Sequence, residues 1–328
     1  MVATLRVGIV GCGFIGEKRA RTLPPGALTL CCDTNAERAA LLAKPQAAAV
    51  TTDWRSAVCD ERVDAVIVAT THNLLAPIVT AAVRAGKHVI VEKPAALQAS
   101  ELDEAVEIAR ERKLCVRVGF NHRYHRAFRE ARRIVDSGVL GDLTHCRARY
   151  GHGGRLGYDR EWRAVPALAG GGEAIDQGMH VIDLARWFLG DFVDVRGFAE
   201  TYFWDMPVED NAFLLLRTQR RQVASLHASW SEWKNTFSFE LYGRHGKLDI
   251  AGLGGSYGTE RLAYYRMLPE LGPPETTIYE YPMADDSWHA EYAAFLEDIS
   301  SGRPSDPGLA DAQAALRIVA QLYAANPA

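Results

Sequence analysis

Three groups of residues in this 328-residue chain are typed and spaced for chemistry. The first is Gly11-Cys12-Gly13-Phe14-Ile15-Gly16, which follows an apolar run, with Asp33 closing the next apolar run 22 positions beyond Gly11. That offset is the one expected of a dinucleotide-binding strand-turn-helix unit. Gly11 lets the chain leave a strand in a tight turn, Gly13 lets the backbone approach a pyrophosphate, and Gly16 lets the helix pack closely on the sheet. Phe14 and Ile15 open that helix, where free N–H groups and the dipole favour negative charge. A carboxylate at Asp33 accepts from a ribose 2′-hydroxyl and repels a 2′-phosphate, so NAD is expected in preference to NADP. Arg38, shortly after it, bears on the same choice.

Lys93, in Glu92-Lys93-Pro94, follows an apolar run that reads as the fifth strand. In an open α/β sheet the carboxyl ends of the strands form the ligand crevice, which puts Lys93 where a cofactor's reactive end lies. A proline beside it can fix the backbone in one geometry, a cis bond included. The third group is Gly170-Gly171-Gly172 followed by Asp176 and His180, four residues apart and expected on one face of a helix. Histidine can take a hydroxyl proton near neutral pH, and a nearby carboxylate can orient a substrate and steady the imidazolium. The same spacing suits zinc, but no third ligand stands at a telling distance, so no metal is expected.

These groups need elements to hold them. Leu5 to Val10, Leu28 to Cys32, Ala47 to Val50, Ala65 to Ala69, His88 to Val91 and Cys115 to Val118 read as short buried strands. Between them lie amphipathic stretches, Glu17 to Leu23, Ala36 to Ala43, Leu74 to Arg84 and Glu101 to Arg112. The alternation predicts a doubly wound parallel α/β sheet, a Rossmann domain over residues 1–121. After Asn121 come a short basic helix, glycine-rich loops and strand-like runs with few helices between them. Those runs are Val193 to Trp204, Asn211 to Arg217, Gln222 to Trp230, Thr236 to Tyr242, Lys247 to Ile250 and Ile278 to Tyr281. They predict an α+β domain with a mostly antiparallel sheet over residues 122–328, closed by helices at Ser287 to Ser300 and Leu309 to Ala325.

The length suits about two domains. A net charge of −4 gives no reason to expect nucleic acid or an anionic membrane as partner. The start carries no basic region followed by a long apolar stretch, and no run of about 18 apolar residues occurs, so a cytoplasmic protein is expected. The six cysteines show no C-x-x-C spacing and read as reduced and structural.

The order GxGxxG, Glu92-Lys93-Pro94, then Gly-Gly-Gly and Asp176-x-Gly178-x-His180 resembles the Gfo/Idh/MocA oxidoreductases nearly end to end. Gly119-Phe120-Asn121-His122-Arg123-Tyr124 is similar to that family's segment at the domain junction, and Trp187-Phe188-Leu189-Gly190 to the end of its active-site helix. The resemblance implies a Rossmann domain, a large open sheet through which many members form homodimers or homotetramers, and reversible hydride transfer between a nicotinamide and a ring carbinol of a sugar or cyclitol. Carried over, Lys93 hydrogen-bonds the reacting oxygen, His180 is the acid/base, and Asp176 positions the substrate hydroxyl. Thr70, Asn73 and Glu92 fall among the cofactor contacts, and Asn121 and Arg123 among the substrate contacts. The chain departs from the family at Thr71 and Leu75, where many members carry proline and histidine near the nicotinamide.

From Arg117 to Arg163 eleven basic residues face five acids, which raises an anionic sugar-like substrate, with Arg155, Tyr158, Trp162 and Arg163 nearest the glycine-rich loop. The alternative is a solvated helix face at Arg126 to Arg133 with scattered strand arginines. His122, His125 and His152 can join a polar pocket without being catalytic. Two other functions share these motifs: a glycosidase that oxidises and re-reduces its sugar with one bound NAD, and a non-enzymatic NAD-binding sensor. A sensor needs no proton path, and the joint presence of Lys93, Asp176 and His180 argues against it.

Overall fold

The computed structural model of the protein describes residues 5–326. The chain divides into two compact units: one holds the chain up to Phe120 together with Trp288–Leu316, the other Asn121–Ser287 and the chain from Arg317 onward. The division at 121/122 read from the sequence has no counterpart to that return of Trp288–Leu316 to the first unit. Among the described residues no helix is long and apolar enough to cross a membrane.

The first unit alternates β1 (Val7–Val10), α1 (Phe14–Ala20), β2 (Leu28–Cys32), α2 (Ala36–Ala43), β3 (Ala49–Thr51), α3 (Trp54–Cys59), β4 (Ala65–Val68), α4 (His72–Arg84), β5 (His88–Val91), α5 (Asp103–Arg112) and β6 (Val116–Val118). Its strands form one parallel sheet in the order β3-β2-β1-β4-β5-β6. The strand order reverses between β1 and β4, and the carboxyl ends at that reversal form the ligand crevice of such a sheet. β1 and β4 are buried along their whole length, as helices on both faces require. Val7, Ile9, Leu28, Ile67 and Ile90 share one core with Tyr292 and Phe295 of the returning segment. α3 was not expected from the sequence; it is six residues long, too short to show a helical period, and the Asp53 carboxylate accepts from the Arg55 and Ser56 N–H groups to start it.

In the second unit come α6 (Arg126–Asp136), β7 (Leu143–Gly151), α7 (Pro166–Ala169), α8 (Gly178–Leu189), β8 (Phe192–Glu200), β9 (Asn211–Thr218), β10 (Val223–Ser229), β11 (Thr236–Gly243), β12 (Gly246–Ala251), β13 (Glu260–Arg266) and β14 (Glu275–Tyr281). The chain ends with α9 (Ser287–Ser301) and α10 (Leu309–Ala325). Eight strands build a sheet in the order β14-β13-β12-β11-β7-β10-β9-β8, antiparallel except for the β7–β10 pair. β7 and β13 were absent from the strands read in the sequence. In β7 the inward positions hold Cys146, Ala148 and Tyr150, while Arg147 and Arg149 point outward, so its hydrophobic signal is one small or polar-tipped residue in two.

Candidate active site

In the first unit, β1 runs into the glycine turn. Gly11 takes φ +95°, and a Cβ there would stand 2.3 Å from the Ala69 carbonyl oxygen, so no side chain fits. At Gly13 a Cβ would meet nothing within 4 Å, which leaves the backbone open on that side as a pyrophosphate needs. Gly16 is buried, Ile15 half-buried and Phe14 exposed at the start of α1. Asp33 stands at the carboxyl end of β2, where one carboxylate oxygen accepts from the Cys12 N–H at 2.8 Å and the other from the Asn35 N–H at 2.9 Å. These bonds fix the carboxylate beside the glycine turn and leave lone pairs for a ribose diol. The Arg38 guanidinium lies 3.7 Å away and is half-exposed. Thr70 and Asn73 are half-buried after β4, and the Thr71 hydroxyl donates to the Asn73 side-chain oxygen at 2.8 Å. Leu75 is fully buried in the core.

Lys93 follows β5 and is half-buried. Its turn has a cis Lys93–Pro94 bond, an Ala95 N–H donating to the Glu92 carbonyl at 3.0 Å, and Ala95 at φ +73°. Glu92 joins a buried cluster. Arg19 donates to it at 2.7 Å and to Glu291 at 2.5 Å, while the Trp288 ring covers the guanidinium at 4.4 Å. Glu92, counted among the cofactor contacts in the sequence, thus anchors the lysine turn to α1 and α9. Nothing local announces Glu291, which is 272 residues from Arg19.

In the second unit the glycine-rich loop packs on Glu209. That carboxylate accepts from the Gly172 and Ala174 N–H groups at 2.9 and 3.0 Å and from the Tyr323 hydroxyl at 2.7 Å. A Cβ at Gly172 would stand 1.9 Å from the Glu209 carbonyl oxygen, which explains the glycine by close approach. Asp176 lies outside α8, contrary to the expectation of a shared helix face. Its N–H closes a turn on the Gly172 carbonyl at 3.1 Å, and α8 begins two residues later, at Gly178. Arg163 donates to the Asp176 carboxylate at 2.7 Å. His180, in the first turn of α8, is buried and stacks on His122, with ring centroids 3.8 Å apart. Tyr150 on β7 meets both imidazoles, at 5.1 Å from His122 and 6.1 Å from His180. Burial, with Tyr257 beside it, pushes the Tyr150 phenol well up, so it stays protonated.

The remaining expected substrate residues fall into two sets. Trp162 and Arg163 are half-buried, with the guanidinium 4.5 Å from the indole ring. Arg155 is exposed and bonds Glu161 at 2.7 Å. Tyr158 is buried in a cluster with Trp230, Met206 and Val208. Asn121 donates to the Ser287 hydroxyl at 3.0 Å, and Arg123 makes a buried two-pronged pair with Asp183 of α8 at 2.8 and 2.6 Å. Most of the arginine-rich segment is paired in this way. Arg117 bonds Asp298, Arg126 bonds Asp286, Arg132 bonds Asp136, Arg133 bonds Glu130 and Arg147 meets Glu240.

His152 makes one pH prediction. Burial first, with Arg163 and Arg155, pushes its imidazole down to about 4 against the opposing pull of Asp176. An unfolded chain holds a histidine near ~6.5. Between those values the unfolded state takes up a proton that the folded state refuses, so stability falls as pH drops through the window. His152→Gln should flatten that fall in melting temperature between about pH 6.5 and about pH 4. Equal slopes in variant and wild type would contradict it.

A family model described as "Oxidoreductase family, NAD-binding Rossmann fold" matches residues 5–120, and one described as "GFO/IDH/MocA C-terminal domain" matches residues 128–249. The dTDP-3,4-didehydro-2,6-dideoxy-alpha-D-glucose 3-reductase of Streptomyces violaceoruber is 30% identical over 96% of this chain and 93% of its own length. Levoglucosan dehydrogenase of Pseudarthrobacter phenanthrenivorans is 27% identical over 74% of this chain and 73% of its own. The solved structure of a levoglucosan dehydrogenase with NADH and levoglucosan superposes with a TM-score of 0.86 at 24% identity, covering 98% of this chain and 97% of the other, a likeness of fold.

Proposed function

The chain belongs to the Gfo/Idh/MocA oxidoreductase family, and from that premise we propose that it transfers hydride reversibly between NAD(H) and a ring secondary alcohol of a sugar, sugar derivative or cyclitol. The observation that carries this reading is the paired constellation of the second unit. His180 is buried and ring-stacked, and Asp176 is held by Arg163, in a chain whose first unit presents Lys93 just beyond β5. Bound NAD supplies the hydride acceptor and, when reduced, the donor. The glycine turn open at Gly13 and the pinned Asp33 carboxylate suit its pyrophosphate and ribose.

In the oxidative direction His180 takes the hydroxyl proton as the carbinol hydrogen leaves with its electron pair. Lys93 donates a hydrogen bond to the same oxygen and steadies the charge building there. Asp176, held by Arg163, accepts from a substrate hydroxyl. Trp162 and Arg163 provide a half-buried surface for the ring, while Asn121, Arg123 and Tyr158 support it from buried positions and Arg155 from the exposed loop. An anionic substituent would compete with Asp176 for Arg163, so an uncharged polyol ring fits better than an anionic one. Nicotinamide absorbance followed with NAD or NADP against cyclitols, free sugars, uronic acids and sugar phosphates tests this. A change confined to sugars or cyclitols supports the proposal, and none in either direction overturns it.

Cofactor choice follows from Asp33. Wild type should use NAD better than NADP, and Asp33→Asn should lower kcat/KM for NAD by about tenfold, the worth of one charge-assisted hydrogen bond, and raise relative use of NADP. Arg38 then remains as the cation beside the 2′ position. Equal use of both cofactors by wild type would contradict this.

Assembly is expected through the open face of the large sheet. Phe198 of β8 pairs in register with Phe213 of β9, and both are exposed, as is Leu215. Exposed apolar side chains side by side on a sheet favour a second copy over water. A homodimer or homotetramer in sedimentation, dissociated by Phe198→Glu, is the expected outcome.

A further inference from the structure

Two imidazoles lie face to face in the second unit. The His122 and His180 ring centroids are 3.8 Å apart with planes inclined by 30°, and the residues are 5% and 6% exposed. His180 rides on α8, whereas His122 belongs to a short 3-10 turn, Asn121–Tyr124. Several elements fix that turn. Arg123 ties it to α8 through the two-pronged pair with Asp183, and Asn121 ties it to Ser287. The His122 ring is further enclosed by Tyr150 of β7 at 5.1 Å, Phe237 of β11 at 5.9 Å and His125 at 5.5 Å. Its Nδ1 lies 3.3 Å from the Asn121 side-chain oxygen. The catalytic candidate is therefore stacked on a ring that is immobilised from elsewhere.

We infer that His122 is the positioning residue for His180: its ring sets the plane of the His180 imidazole, and the stacked pair accommodates one proton at a time. The inference rests on the reading of His180 as the acid/base. An imidazolium is attracted to the π face of a neutral ring laid over it, and two imidazoliums at that separation repel. The charged and titratable groups around the pair do not reverse this. Tyr150, with Tyr257 behind it, is held as a neutral phenol. The Asp176 carboxylate is balanced by Arg163. His125, whose ring centroid is 5.5 Å from that of His122, engages Glu260 at 3.2 Å and Asp285 at 3.9 Å. The buried Asp183 carboxylate is paired with Arg123, and Glu173, whose charge is felt at Tyr150, is a further buried carboxylate.

The test compares His122→Ala, His122→Phe and His180→Ala with wild type, using the sugar or cyclitol identified in the absorbance screen. Loss of the ring in His122→Ala should lower kcat by about tenfold or more with KM changed less than about threefold, the signature of a misoriented group. His122→Phe keeps the stack and should recover most of that kcat. Titration of 15N-labelled histidine resonances should show wild-type His122 and His180 protonating in two coupled steps, collapsing to one step for His180 in His122→Phe. Wild-type kcat in His122→Ala, a loss carried by KM, no recovery with phenylalanine, or independent titrations would each overturn the inference. If His180→Ala keeps full turnover, the reading of His180 itself fails; if His180→Ala is inactive and His122→Ala is not, the inference alone fails.

Discussion

Alanine in place of His180 or Lys93 should lower kcat by about 10³-fold, within the range that positioned acid–base groups contribute, while NAD affinity changes less than about threefold. His180 belongs to the second unit and the glycine turn and Asp33 to the first, so removing the imidazole leaves the nucleotide-binding residues intact. Lys93 is closer to them along the chain, but its turn is held by the Ala95 N–H bond to the Glu92 carbonyl and by the Arg19–Glu92 pair, neither of which uses the lysine side chain. Steady-state kinetics beside calorimetric NAD titration separate the two effects. Collapse of NAD affinity in both variants would mean the catalytic groups are misassigned, and unchanged kcat in either would remove that residue from the proton path.

Arg19→Met should destabilise the protein by about 3–5 kcal/mol, the cost of breaking a buried ion cluster by removing one partner. Arg19 and Glu291 are fully buried and Glu92 nearly so. Without the guanidinium, two carboxyl groups remain in the core with no cation between them. Burial already pushes the Glu291 carboxyl up, although Arg19 opposes that. The folded state therefore keeps a proton that the unfolded chain releases above about pH 4.5, and this contribution to stability declines as pH rises from there. Glu291→Gln should be tolerated far better than Arg19→Met, because the amide resembles the protonated acid in shape and charge. Denaturant unfolding of the two variants checks the comparison. Equal losses would show that the charge of Glu291, and not the bare burial of a carboxylate, holds the cluster. Since Glu92 precedes Lys93, Arg19→Met should also lower kcat.

Much of the first unit was legible because its signals are local. β2 and β5 have the bounds read from apolar runs and α2 those read from an amphipathic stretch, and the glycine turn lies between β1 and α1 with Asp33 just past β2, as the spacing predicts. The second unit was less legible for physical reasons that differ from place to place. β7 hides because arginines occupy its outward positions. Asp176 was assigned to a helix on spacing, but the backbone there closes a turn on Gly172 before α8 starts. For the arginine-rich segment the sequence leaves an anion site and a solvated helix face both open, because it counts charges without their partners, and several of those partners are remote: Asp298 for Arg117, Asp286 for Arg126, Asp183 for Arg123. Glu209, which holds the glycine-rich loop, and Glu291, which holds Arg19 against the Glu92 turn, bind groups far away along the chain and carry no motif of their own.

The most direct measurement of the central claim is the fate of the ring hydrogen. With NAD and a substrate deuterated at the reacting ring carbon, the account predicts that one deuterium appears in the reduced nicotinamide, that none enters from heavy water when the label is reversed, and that turnover slows with the heavier isotope. Release of the label to solvent, or chemical conversion of the sugar with no deuterium in the nicotinamide, would contradict hydride transfer as the reaction.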